Sequence, residues 1–356
     1  MAESSDGAQA SDDDGPPRRP RDLSIDTLRG LAVLLMVTAH TIGDAPTRGL
    51  RVTPGSVYDY IYELTFYLRL PLFTVISGYV YAMRPVRPGR AWSFWRGKAR
   101  RLLWPYLTVA SLYFVIQKIV PGANEARPWS AMWEIYVFGY DHFWYLQALF
   151  VIFLLLPVLD GTRLLYKFET WAAAVLAATL LTLLTVGPEG TRTALSDVLA
   201  YFSLWGTLRL LPFFIVGIGV NRFGDRLRAR WLVAVAAVIG VVGFIAQQRS
   251  FLTDPTATPD AAGLLGLSYG LATTGLLMTF RRAWKPLAVI GHYSFAIYLL
   301  HVFGTAGCRV IVTRLGVDDT ATLLVLCVAC GVAGPIVAQL IVSPFKWLRL
   351  PLLGIK

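Results

Sequence analysis

The sequence predicts an all-α fold, a polytopic transmembrane helix bundle with about ten spans. Of the 356 residues, 55% are hydrophobic and only 15% are charged, whereas about 25% of residues are charged in a soluble domain. The apolar residues form runs near the roughly 20 residues that a helix needs to cross a bilayer. Because these runs are continuous and do not alternate with polar residues, they exclude a transmembrane β-barrel.

Ten such runs are candidate spans, and the charged residues between them predict the topology. The runs cover residues 24–43, 58–83, 102–120, 142–159, 170–187, 197–220, 231–248, 261–280, 286–305 and 320–342. If the N-terminus is cytosolic, 22 of the 33 Lys and Arg residues lie in inner segments and eight in outer ones. By the positive-inside rule, both termini are expected in the cytosol of a multi-pass protein of the plasma or inner membrane. The net charge of +11 therefore belongs to short loops, and no nucleic-acid partner is expected.

The chain divides into a tail and one membrane domain. Residues 1–21 are acidic, then rich in proline, then basic, which predicts a disordered cytosolic tail with no signal peptide. Residues 22–356 form one predicted transmembrane domain. Cys327 and Cys330 lie beside glycines in an apolar run, which indicates a helix contact and no redox or metal site.

The first span carries the most informative pair of residues. Arg29 and His40 are eleven residues apart, so on a helix their directions about the axis differ by only about 20°. Their separation along the axis is about 16.5 Å. They are predicted to line one wall of a shared pathway, with Asp26 on the same face beside Arg29. A guanidinium that binds phosphates and an imidazole that takes a proton from an alcohol are what an acyl-CoA enzyme needs. The alternative is that Arg29 snorkels to the cytosolic interface and His40 anchors the outer end.

The spacing of Arg29 and His40 in DTLRGLAVLLMVTAH resembles the first-helix signature of the acyltransferase-3 family. Further segments resemble that family in order, from about residue 22 to residue 304, and one is similar to its branch of sugar O-acetylases. These segments are FYLRLPLFTVISGYVYA with Ser77, Gly78 and Tyr79, FWRGKARRLLWPYL, HFWYLQALFVIFLLLPVL with His142, Trp144 and Tyr145, LPFFIVGIGVNRF, and IGHYSFAIYLLHVF ending in His301.

The resemblance implies a ten-helix membrane O-acyltransferase with no bound cofactor. Its co-substrate would be acyl-CoA, often acetyl-CoA, and its acceptor a carbohydrate, a glycan or a glycosylated small molecule. His40 would be the catalytic residue and Arg29 its partner. Direct attack of a hydroxyl on the thioester is favoured over a transient acyl-histidine. The rival class is a transporter or channel in which buried Arg and His side chains gate or relay protons.

Two further arginines lie inside predicted spans. Arg69 lies beside Pro71, where a kink would open a cavity wall, so it is predicted to bind donor or acceptor, or else to pair with Glu63. Arg209 likewise precedes a proline. Together with Arg29, these arginines would give a cationic lining suited to a polyanionic CoA.

Aromatic and polar groups complete the set of candidate binding residues. His142, Trp144 and Tyr145, at the outer start of the fourth span, form either a plate suited to a sugar ring or ordinary interfacial anchors. Tyr298 and His301 share a helix face, which predicts helix-to-helix hydrogen bonds or pocket lining. Ser77 and Tyr79 join the set through the resemblance. The outer loop 121–141 is rich in Trp and Tyr and is predicted to be an interfacial or re-entrant cap, or a simple membrane anchor.

Overall fold

The computed structural model establishes how these segments pack. It describes residues 22–45, 47–120, 127–186, 194–257 and 260–355. The predicted disordered tail, 1–21, lies outside the described residues, and so does 121–126, the first part of the outer loop.

The described chain is helical throughout, with one isolated bridge between Phe138 and Tyr201 and no strand. Three short 3-10 helices cover Trp129–Ala131, Asp141–Phe143 and Leu164–Tyr166. The α-helices are α1 (Leu23–Ile42), α2 (Val57–Met83), α3 (Ala91–Ile119), α4 (Glu134–Val137), α5 (Trp144–Gly161), α6 (Phe168–Thr185), α7 (Ala194–Ala200), α8 (Leu204–Arg222), α9 (Gly224–Leu227), α10 (Arg230–Thr253), α11 (Leu264–Thr279), α12 (Lys285–His292), α13 (Ser294–Arg314), α14 (Thr320–Val342) and α15 (Lys346–Leu353).

Nine helices in the described part of the chain are long and apolar enough to cross a membrane, which confirms the predicted polytopic bundle. The nine are α1, α2, α3, α5 with the turn before it, α6, α8, α10, α13 and α14. The predicted span 261–280 is the shorter helix α11, whose 16 residues rise about 24 Å. It runs parallel to α2, because Gly266 near its start lies against the ring of Tyr67, whereas Arg281, just beyond its end, binds Tyr79 further along α2.

Two predicted spans are wrong in their boundaries. The run 286–305 is divided between α12 and α13, which meet at Tyr293, and α13 continues to Arg314. The run 197–220 breaks between α7 and α8, where Phe202 and Ser203 have φ of +50° and +54°. A continuous apolar run carries no periodic signal for such breaks. Tertiary contacts accompany both breaks: Gly291 lies against the backbone of Asp26 next to the first, and the Ser203 hydroxyl donates to Gln147 (2.7 Å) at the second.

Helix α1 lies in the interior and is held there by backbone contacts. A Cβ on Gly30 would lie 2.0 Å from the carbonyl oxygen of Leu287 in α12, and one on Gly291 would lie 1.8 Å from that of Asp26. Helices α2 and α8 approach in the same way, since a Cβ on Gly78 would lie 2.0 Å from the carbonyl oxygen of Phe214. Small residues allow this close approach in membrane bundles. The Gly78 of the Ser-Gly-Tyr motif therefore serves packing.

The peripheral helices present apolar side chains outward, as lipid contact requires. Helices α10 and α14 are the clearest cases, with Val238 61%, Val242 60%, Val325 67% and Ile341 61% exposed. We call the end of the bundle where α1 begins and α2 ends the inner end, because it is predicted to face the cytosol. The opposite end is the outer end.

Candidate active site

His40 lies in the last turn of α1, near the outer end, and its side chain is exposed within the bundle. The helix stops because Gly43 has a φ of +99°, a conformation that favours glycine. A Cβ on Gly43 would lie 2.5 Å from the carbonyl oxygen of Arg48, so the following loop folds back tightly. This turn leaves the imidazole of His40 facing a cavity.

The cavity has a volume of about 730 Å³ and opens at the outer end of the bundle. Its walls come from α1 and the loop that follows it, from α2, α3 and α13, from Cys327 of α14, and from the outer segment 127–141. Within that segment Ile135 and Tyr140 are buried, while Trp129 and Trp133 are exposed. The segment therefore acts as a cap over the cavity and also carries exposed aromatic residues. The volume is typical of a site that encloses a small molecule.

Three histidines meet at the base of this cavity. The ring of His40 is centred 5.6 Å from that of His142 and 5.2 Å from that of His301, and those two are 4.8 Å apart. His142 and His301 are buried behind His40. The Nδ1 of His301 lies 2.9 Å from the carbonyl oxygen of Tyr298, which only accepts, so in a neutral imidazole Nε2 carries the lone pair. Among the described residues, no three His, Cys, Asp or Glu side chains are placed to hold a metal ion.

Asp141 holds this cluster in place from the cap. Its carboxylate accepts hydrogen bonds from the hydroxyl of Tyr113 (2.9 Å) and from the backbone N–H of His142 (2.7 Å), and it lies 3.4 Å from Nδ1 of His142. The φ of Asp141 is +43°, an uncommon conformation for a residue other than glycine and one found at functional sites. The hydroxyl of Tyr298 donates to the carbonyl of His142 from the other side. These contacts fix the position of His142.

An aromatic wall and a buried arginine line the rest of the cavity. The hydroxyl of Tyr140 donates to Gln117 (2.7 Å). Burial, together with the Asp141 carboxylate, raises the pKa of Tyr140, which therefore stays a neutral donor. Arg69 lies over the ring of Tyr62, with its guanidinium carbon 4.2 Å from the ring centre. It forms this stacking contact, and no ion pair with Glu63 is found among the described residues.

Several of the predicted binding residues lie away from the cavity. Trp144 packs on Trp205 with ring centres 4.6 Å apart, and Arg209 covers both rings at 5.1 and 5.4 Å. Tyr145 is buried, with its hydroxyl 3.4 Å from that of Thr74. These side chains join α2, α5 and α8 and are not part of the cavity wall.

Ser77 also serves a helix, since its hydroxyl donates to the carbonyl of Phe73 (2.9 Å) within α2. The three predicted arginines are accordingly separated. Arg69 lines the cavity, Arg209 lies on the tryptophans, and Arg29 lies at the inner end of α1.

Arg29 and Asp26 pair as predicted, with Nη1 and Oδ1 3.1 Å apart. Arg29 does not line the cavity that contains His40, although both residues belong to α1. Between them Val33 and Met36 are fully buried. The two residues therefore belong to different ends of the bundle, and packed side chains lie between them.

A second cationic group accompanies Arg29 at the inner end. Arg281 donates to the hydroxyl of Tyr79 (2.6 Å), stacks on its ring at 4.6 Å, and lies 3.6 Å from Asp22. Burial alone would raise the pKa of Asp22, but hydrogen bonds from Ser24 and the charge of Arg281 hold it below its usual value. Tyr79 is thus part of an inner charged cluster.

The sequence did not identify Asp141, Tyr113 or Arg281 as members of these clusters. Asp141 directly precedes His142, so an Asp-His pair at the outer start of a span was a readable signal. The other two residues carried no such signal, because Tyr113 resembles an interfacial aromatic residue and Arg281 a cation beyond a helix end.

Comparison with known proteins decides the family. The profile of the acyltransferase-3 family, described as an acyltransferase domain, matches residues 22–340, nearly the whole chain. The chain belongs to this family. It is therefore a multi-pass membrane acyltransferase, which disfavours the transporter alternative. No curated protein and no solved structure matches the chain.

Proposed function

We propose that this acyltransferase works at the plasma or inner membrane and moves an acyl group from acyl-CoA to a hydroxyl group. The acyl group that we expect is acetyl, and the acceptor is a carbohydrate, a glycan or a glycosylated small molecule. His40 is the general base. The observation that carries the proposal is the position of His40, exposed on the wall of a cavity of about 730 Å³ that opens at the outer end.

The reaction needs one proton carrier. The acceptor hydroxyl, bound in the cavity, loses its proton to the imidazole of His40 as its oxygen attacks the thioester carbonyl. The carbon–sulfur bond then breaks, and the leaving thiolate takes the proton from the imidazolium, so an ester and free CoA result. An imidazole is suited to this because one of its ring nitrogens can accept the proton and then return it.

The residues around His40 support this role by position. His142 and His301 form the floor beneath the ring, with centroids 5.6 and 5.2 Å away. Asp141 and Tyr298 hold His142 by hydrogen bonds. We assign these four residues positioning roles, because groups that contact a catalytic base need fixed geometry to align it.

Carbohydrate is the favoured acceptor class because of the cavity wall. The rings of Tyr62, Tyr113 and Tyr140 line the cavity, and the hydroxyl oxygens of Tyr113 and Tyr140, which donate to Asp141 and Gln117, can still accept a hydrogen bond. Such amphipathic side chains pack against the apolar face of a sugar ring and hydrogen-bond to its hydroxyls.

The donor is proposed to approach from the inner end. Arg29 and Arg281 lie there among paired carboxylates and Tyr79, and arginine recognises phosphate through two parallel hydrogen bonds. The axial distance from Arg29 to His40 is about 16.5 Å. The acyl arm of the donor would have to pass this distance along α1, through side chains such as Met36 that are packed in the free protein.

The decisive test is His40→Ala, with His292→Ala as the matched control, since His292 is an exposed histidine at the inner end. Cells that produce each full-length variant are compared by mass spectrometry of envelope glycans and secreted metabolites for O-acyl products. Loss of the general base is expected to lower product formation about 10²- to 10⁴-fold. Normal product formation by a folded His40→Ala protein would refute the assignment.

A further inference from the structure

The cavity that contains His40 is strongly cationic for a site inside a membrane bundle. Two of its lining residues are acidic, Asp44 and Asp141, and four are arginines: Arg48, Arg69, Arg127 and Arg309. Of these four, Arg69 lies well inside α2, and an arginine at membrane depth is expensive and marks a binding or transport pathway. The excess of positive charge therefore needs a functional explanation.

Arg69 gives the most specific signal. Its side chain is only 8% exposed, and its Nη1 has no hydrogen-bond partner in the described part of the chain. It rests on the rings of Tyr62 and Phe66 at 4.2 and 5.1 Å, and in the described residues it forms no ion pair with a carboxylate. A buried guanidinium is stable when an anion completes its hydrogen bonds.

The acidic groups of the cavity are already engaged elsewhere. Asp141 accepts from Tyr113 and His142, and Asp44 forms an exposed ion pair with Arg48 (3.0 Å). Neither carboxylate is paired with Arg69.

The other arginines have weak or neutral partners. Arg309 donates to the carbonyl of Gly49 and pairs with no carboxylate among the described residues. Arg127 is 3.9 Å from Glu134, the limit of an ion pair, and both side chains are about 40% exposed. Arg69 and Arg309 thus present two charges to one cavity, and no carboxylate among the described residues pairs with either of them.

We infer that the acceptor carries an anionic group, a phosphate or a carboxylate, which Arg69 and Arg309 bind while one of its hydroxyls lies at His40. This inference rests on the proposed function and specifies the acceptor as an anionic sugar derivative. Arginine suits it because its planar fork matches both carboxylate and phosphate oxygens. The same chemistry could come from the phosphates of CoA, so the test separates the two sources.

Binding to the purified full-length protein is measured by isothermal titration calorimetry with four probes. Glucose 1-phosphate and glucuronate carry the anion, methyl glucoside is the neutral counterpart, and coenzyme A represents the donor. The anionic sugars are expected to bind at least tenfold more tightly than methyl glucoside. Arg69→Gln is expected to remove that advantage, whereas Arg249→Gln, an exposed outer arginine away from the cavity, retains it.

Three results would overturn the inference. The anionic and neutral sugars could bind equally, Arg69→Gln could leave the preference intact, or Arg69→Gln could weaken coenzyme A and spare the sugars, which would assign the arginines to the donor. If Arg69→Gln does not fold, the inference is tested with Arg69→Lys and by comparing charged and neutral sugars on the wild-type protein. Anion binding requires no turnover, so an inactive His40→Ala protein that retains the preference separates this inference from the proposed reaction.

Discussion

The two ends of α1 carry an arginine and a histidine on one helix, yet their surroundings differ. At the inner end, Gly30 and Gly291 bring two backbones into contact, and charged side chains pair with one another. At the outer end, Gly43 turns the chain away and exposes His40 to a cavity. Close packing therefore anchors α1 at one end, whereas the other end opens onto a cavity.

Asp141→Asn tests the outer end and should have the largest effect. Asparagine tolerates the φ of +43°, so the backbone is retained while the charge that positions His142 is lost. Loss of charge-assisted hydrogen bonds is expected to slow acyl transfer about 10- to 100-fold, measured as the initial rate of O-acyl product formation. Asp254→Asn, in an exposed outer loop, is the control. Equal rates for the two variants would mean that Asp141 only shapes the cap.

Gly30→Ala tests the packing of the inner end. The new Cβ would meet backbone that has no freedom to move, so a destabilisation of about 1–3 kcal/mol is expected. Thermal unfolding in detergent should show a lower midpoint. Gly334→Ala in α14 meets nothing within 4 Å and should leave the midpoint unchanged or raise it. Similar midpoints for both variants would contradict the close contact of α1 and α12.

Arg281→Gln tests whether the inner end binds the donor, separately from the outer end that contains His40. If the inner cluster binds the donor phosphates, its loss should raise the KM for acyl-CoA about tenfold and change kcat little. Steady-state kinetics at a fixed acceptor concentration provide the measurement. Arg282→Gln removes the adjacent, exposed charge and should have a smaller effect. If the KM changes equally in both variants, the inner cluster acts only through its general positive charge and not as a specific binding site.

Arg209→Gln should have the smallest effect, because Arg209 lies on Trp144 and Trp205, outside the cavity. The rate of transfer is expected to stay within about twofold of wild type. Stability should fall by the worth of a cation–π contact, about 0.5–1 kcal/mol. A strong loss of activity with normal stability would mean that Arg209 does belong to the binding site.

Much of the site could be read from the chain because its parts are local. The pairing of Asp26 with Arg29 follows from a separation of three residues on a helix. The spacing in the first span also predicted His40 as a site residue, and the position of His142 at the outer start of the fourth span predicted that residue. The convergence of three histidines could not be read, since His40, His142 and His301 come from segments more than 100 residues apart. The roles of Trp144 and Ser77 were equally open, because an interfacial tryptophan and a helical serine look alike in packing and in binding.

The sequence by itself determined the class of the molecule. The bilayer sets the length of each apolar run and the charge of each loop, and these are requirements on one segment at a time. The Arg29–His40 spacing and the order of the motifs likewise determined the family. Only the tertiary structure decided which polar groups share a cavity, where a span breaks, and that packed side chains separate Arg29 from the cavity of His40. Those outcomes depend on contacts between distant helices, and an apolar run does not encode which neighbour each of its faces will meet.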